Sequence, residues 1–63
     1  MYRVLSPDGF DCEFDGIYHN LTQANFALER FVKAFVSQGY YSTSSRKHIA
    51  LIDLPDYCQI VEL

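Results

Sequence analysis

Residues 19–39, HNLTQANFALERFVKAFVSQG, constrain this chain more than any other stretch. Leu21, Ala24, Leu28, Phe31, Val32 and Phe35 recur at intervals of three and four, with Val36 at the edge. On a helix those positions line up as one apolar stripe. Asn20 is suited to cap the first turn, and Gln23 is placed to return the bond. Gly39 is suited to end the helix in the left-handed conformation. The spacing predicts a helix over residues 21–38. Such a helix is not stable alone in water, so the rest of the chain must cover the stripe.

The flanks supply strands. YRVL is a short apolar run rich in β-formers, and SPDG after it carries turn residues in turn order. FDCEFD then alternates apolar and polar residues. Together they read as a β-hairpin, with Phe10, Cys12 and Phe14 facing inward and Asp11, Glu13 and Asp15 facing water. After the helix, Tyr40, Tyr41 and Thr43 favour a strand, and SSRKH reads as a loop. Residues 49–56 fit either a strand or a helical turn. Pro55 disfavours a central strand, and Leu51, Leu54 and Tyr57 share helical spacing, so a turn is preferred. CQIVEL reads as a last strand with Cys58 and Ile60 on one face. The expected fold is α+β, a two-layer sandwich of ββαββ type in a single domain over residues 1–63. The helix is expected to lie across one antiparallel sheet of three or four strands.

Composition narrows function by exclusion. At 63 residues with 49% apolar content, the chain has enough to build one small core. Five Lys and Arg against eight Asp and Glu give a net charge of −3. Proteins that neutralise several phosphates usually carry a basic excess, so nucleic-acid binding as a whole-protein property is disfavoured. No apolar run approaches membrane-spanning length, and the first residues lack the pattern of a secretory leader, so a cytoplasmic protein with reduced thiols is expected. Cys12 and Cys58 match no zinc-ligand spacing and read as small apolar side chains, with a disulfide between neighbouring strands as the alternative.

YRVLSPDGF, the capped helix containing ERFV, QGYYS, and LPDYC ahead of the last strand resemble a small bacterial protein family of unassigned function. The resemblance runs through nearly the whole chain. It implies a short, single-domain, intracellular protein. Its motifs are structural punctuation, and it brings no catalytic, metal or cofactor residue to this chain.

Three patches invite a functional reading. Asp11, Glu13, Asp15 and Gly16 look like the opening of a calcium loop. Thr22 stands where the bidentate Glu is required, and a hairpin strand rather than a helix enters, so no metal is assigned. The same three carboxylates form a candidate acidic face for a basic partner, or a decoy for a nucleic-acid-binding protein. Phe26 falls on the polar side of the helix beside Arg30 and Lys33, either as a second interaction face or as a ring stacked over the Arg30 stem. Tyr40, Tyr41, Arg46, Lys47 and His48 form an aromatic and basic loop of the kind that binds single-stranded nucleic acid. His19 and His48 are placed in loops or at an element end, and the thiols inward, so neither catalysis nor a cofactor is expected. The reading is a non-enzymatic protein–protein interaction module, acting on another protein or on a second copy of itself. The alternatives are nucleic-acid association through residues 40–48 or the acidic decoy.

Overall fold

The structure, a computed structural model, describes residues 1–63. β1 (Tyr2–Leu5) leads into the SPDG turn, where the Gly9 amide donates to the Ser6 carbonyl at 2.9 Å and the Ser6 amide to Phe10 at 2.7 Å. The chain then returns along β1 in the expected antiparallel sense. The return holds at only two points, Leu5 opposite Asp11 and Tyr2 opposite Tyr18.

Between those bridges the hairpin departs from the expected alternation. Glu13 to Gly16 form a tight turn, closed by the Gly16 amide on the Glu13 carbonyl at 2.9 Å, with Asp15 at φ 55°. Asp-Gly is itself a turn dipeptide, and it overrides the period-two pattern. Once the strand breaks, Phe10 and Phe14 swing out to 72% and 94% exposure, and only Cys12 stays packed inward.

α1 (Leu21–Lys33) starts as expected. Asn20 Oδ1 accepts from the Gln23 amide at 2.9 Å, and Gln23 returns its bond to the His19 amide at 3.1 Å, one residue earlier than anticipated. The α-helix is shorter than 21–38. From Ala34 onward the bonds tighten, with Phe35 donating to Val32, Val36 to Lys33 and Gln38 to Phe35 at 3.1–3.2 Å. These are three-residue turns of 3₁₀ type, typical of helix ends. β-branched Val32 and Val36 weaken the α-helical preference here. Gly39, at φ 90°, stops the run with its amide on Phe35.

β2 (Tyr40–Ser42) and β3 (His48–Ala50) form an antiparallel hairpin in which Tyr41 faces Ile49. Residues 49–56 divide between both readings: Ile49 and Ala50 finish β3, and α2 (Leu54–Tyr57) is one helical turn with Pro55 at its start. β4 (Gln59–Glu62) pairs antiparallel with β1, Tyr2 against Glu62 through Leu5 against Gln59. The class is α+β, but the four strands make two separate two-stranded sheets rather than one. α2 carries the chain past the β2–β3 hairpin and delivers β4 to β1.

One helix serves both sheets. Ala24 and Ala27 pack on Val4 with Tyr2, Cys12, Tyr18, Leu28 and Ile60 around them. Phe31, Val32 and Phe35 pack with Tyr41, Ile49 and Leu54. Leu21, expected in the stripe, lies outside both clusters and is half exposed. The radius of gyration of 11.3 Å is close to the roughly 10.6 Å expected of a folded domain this long. No helix is long and apolar enough to cross a membrane.

Candidate interaction surface

The acidic stretch and the polar face of α1, separate in the sequence reading, meet in space. Arg30 Nε and Nη2 donate to Glu13 Oε2 and Oε1 at 2.7 and 2.9 Å, a fork-on-carboxylate pair. The Tyr18 hydroxyl donates to the same carboxylate. Gly16 makes room for this, because a Cβ there would collide with the Tyr18 hydroxyl and sit 3.0 Å from the Glu13 carbonyl. The donors from Arg30, then Tyr18, hold the Glu13 carboxyl down at about 2. Burial first, then the Glu13 carboxylate, pushes the Tyr18 phenol up to about 12. Arg30 is raised by Glu13.

The three carboxylates therefore do not form a free acidic row. Asp11 accepts from Arg3 at 3.0 Å, Glu13 is taken by Arg30 and Tyr18, and only Asp15, at the turn, projects without such a partner. Phe26 makes no cation–π contact with Arg30, whose guanidinium is held by Glu13. Phe26, one turn before Arg30, is 54% exposed, and Phe14 follows Glu13 directly. The ion pair thus clamps the turn that displays Phe14 onto the helix face that displays Phe26. Lys33, two turns after Phe26 on the same side of α1, also borders a groove of about 420 Å³ between α1 and Pro55, with Asn25, Leu28, Glu29 and Val32.

The aromatic and basic loop is divided. Tyr41 is buried against Phe31 and Phe35 and is not available for stacking. Its hydroxyl donates to Asp8 at 2.7 Å. Tyr40 stacks on His48 at 4.1 Å on the outer side of the hairpin, Lys47 lies over the Tyr57 ring, and Arg46 occupies the turn at φ 67°.

The sequence reading missed Asp8, Tyr18 and Ser44. Asp8 accepts from Tyr41 and from the Ser44 amide and hydroxyl at 3.1 and 3.0 Å, which lowers its pKa and ties the SPDG turn to the second hairpin. No local signal announces a contact 36 residues apart. Cys12 and Cys58 come close enough to perturb one another. Burial, then Cys58, pushes the Cys12 thiol up to about 12, the opposite of an activated nucleophile. No group of three or more His, Cys, Asp or Glu is arranged to hold a metal ion. No protein-family model, no curated protein and no solved structure matches this chain.

Proposed function

We propose that this domain is a non-enzymatic protein–protein interaction module, whose partner is another protein or a second copy of the chain. The observation that carries this reading is a pair of exposed rings, Phe14 next to Glu13 in sequence and Phe26 one turn before Arg30, whose carriers the Glu13–Arg30 pair joins. Aromatic anchors and arginine are enriched at interfaces, and the Glu13–Arg30 pair fixes the backbone that carries Phe14 against α1. The test is a Phe14→Ser, Phe26→Ser double variant. Its stability is expected within about 0.5 kcal/mol of the parent, as for exposed positions. Partner capture is expected to fall at least roughly tenfold. An unchanged set of captured proteins overturns the use of this face.

A second reading rests on the Tyr40–His48 stack flanked by Arg46 and Lys47. It takes single-stranded nucleic acid, with a ring on a base and cations on phosphate. Affinity for a single-stranded oligonucleotide at low salt, lost in an Arg46→Ala, Lys47→Ala variant, supports it. No binding at low salt removes it, since charge is least screened there.

A further inference from the structure

We infer that the outer edge of β4 is a self-pairing surface, and that two copies of this chain join there as an antiparallel β4–β4′ pair. The inference rests on the interaction-module reading and names the partner for a different face.

The hydrogen-bond register leads to it. The Leu63 amide donates to the Met1 carbonyl at 2.8 Å, and Arg3 faces Val61. In an antiparallel ladder this makes Arg3–Val61 and Leu5–Gln59 the bonded pairs. On β1, the amides and carbonyls of Tyr2 and Val4 consequently point the other way. There the Tyr2 amide and carbonyl meet Tyr18 at 2.8 and 2.9 Å, and the Val4 carbonyl accepts from the Cys12 amide at 2.9 Å. By the same alternation, the backbone groups of Ile60 and Glu62 on β4 point away from β1, and neither residue's backbone has a side-chain bond across residues 1–63. One edge of this sheet is occupied and one is open. A sheet with a single open edge closes as a two-fold dimer and does not extend into a fibre.

Three features favour a second copy as the occupant. A two-stranded sheet is marginal alone, whereas β1–β4–β4′–β1′ has four strands. The outward-bonding residues are Ile60 and Glu62, so the pairing that bonds Ile60 to Glu62 of the second copy brings Val61 against Val61. It keeps the two Glu62 carboxylates from standing directly opposite, which would be unfavourable. On the sheet face turned from α1, shared with Arg3 and Gln59, Met1, Val61 and Leu63 are exposed, and the Val61–Val61 contact covers part of that apolar area. The edges of the β2–β3 hairpin are less suited: each strand has three residues, and the turn carries Arg46 and Lys47.

The experiment is analytical ultracentrifugation of the 63-residue chain, paired with amide hydrogen exchange across the same concentrations. The mass is expected to rise from 7.3 kDa toward twice that value. The Val61 amide, bonded within the chain, is expected to be protected throughout, and the Ile60 and Glu62 amides only as the dimer forms. Glu62→Pro removes an outward amide at a position where an edge strand tolerates proline. It is expected to weaken association at least roughly tenfold. A single-chain mass at every concentration overturns the inference and leaves the Phe14–Phe26 face to its own capture test. A dimer in which the Ile60 and Glu62 amides stay unprotected overturns β4 pairing and assigns self-association to another face. The exchange arm needs no variant, so it decides even if Glu62→Pro disturbs the fold.

Discussion

The two core clusters share one helix but pack it differently. The first is made of small side chains: Ala24 and Ala27 are fully buried against Val4, so the helix backbone comes close to β1. Its rim is closed by polar ties, Arg3 to Asp11 and Arg30 to Glu13. The second is made of rings. Phe31, Phe35 and Tyr41 meet with centroids 5.0–5.7 Å apart, mostly edge to face, over Ile49 and Leu54. Close backbone approach leaves no room for added atoms, whereas a ring cluster depends on the volume it already holds. The first cluster should therefore be sensitive to enlargement, and the second to truncation.

Leu54→Ala should have the largest effect. Leu54 has no exposed surface, and truncating a buried leucine costs about 2–5 kcal/mol. That is a large part of what a 63-residue domain holds. Urea denaturation should show the midpoint falling sharply or the folded baseline lost. A mild effect breaks the claim that the second cluster depends on volume.

Ala27→Leu should come next, at about 1–3 kcal/mol, because the added atoms meet β1 at close range. A neutral result would mean that the first cluster has slack. Tyr41→Phe removes the donor to Asp8 without changing the ring packing, and should cost about 1–2 kcal/mol. An NMR titration of the variant should show the Asp8 carboxyl rising from its lowered position. Equal stability and an unmoved Asp8 would show that the link between the SPDG turn and the hairpin contributes nothing.

The smallest effect lies on the rim. Glu13 falls from 4.5 to about 2 in the folded state. A depressed folded pKa contributes stability that is fully present above about 4.5 and is lost as pH falls toward 2. With the side chain 36% exposed, the contribution should stay below about 1 kcal/mol. Glu13→Gln should flatten the acid limb of the stability curve over that window, with the part due to Asp8 left in place. An identical acid limb in the variant would show the Glu13–Arg30 pair to be energetically silent.

Much of the fold was legible in local chemistry. The Asn20 cap, the helical stripe, the SPDG turn and the strand character of Tyr40–Ser42 and Gln59–Glu62 need only near neighbours. Pro55 foretold the helical turn at Leu54–Tyr57. The misreadings have local causes as well. Asp15-Gly16 is a turn signal, and it outweighs the polar alternation around it. Val32 and Val36 marked where the α-helix would tighten. The contacts that make the candidate surface were not legible. Glu13 to Arg30 spans 17 residues and Asp8 to Ser44 spans 36. No periodicity relates such positions.

The sequence by itself determined which segments turn, coil and extend, because those choices depend on backbone preferences and side-chain spacing within a few residues. Only the tertiary structure decided that the strands divide into two sheets, that the acidic stretch is largely neutralised by Arg3 and Arg30, and that Phe10 and Phe14 face water while Ala27 is buried. Those outcomes depend on which distant surfaces meet. That is set by the path of the whole chain, through the Asp15-Gly16 turn and the short α2, rather than by any residue's own propensity.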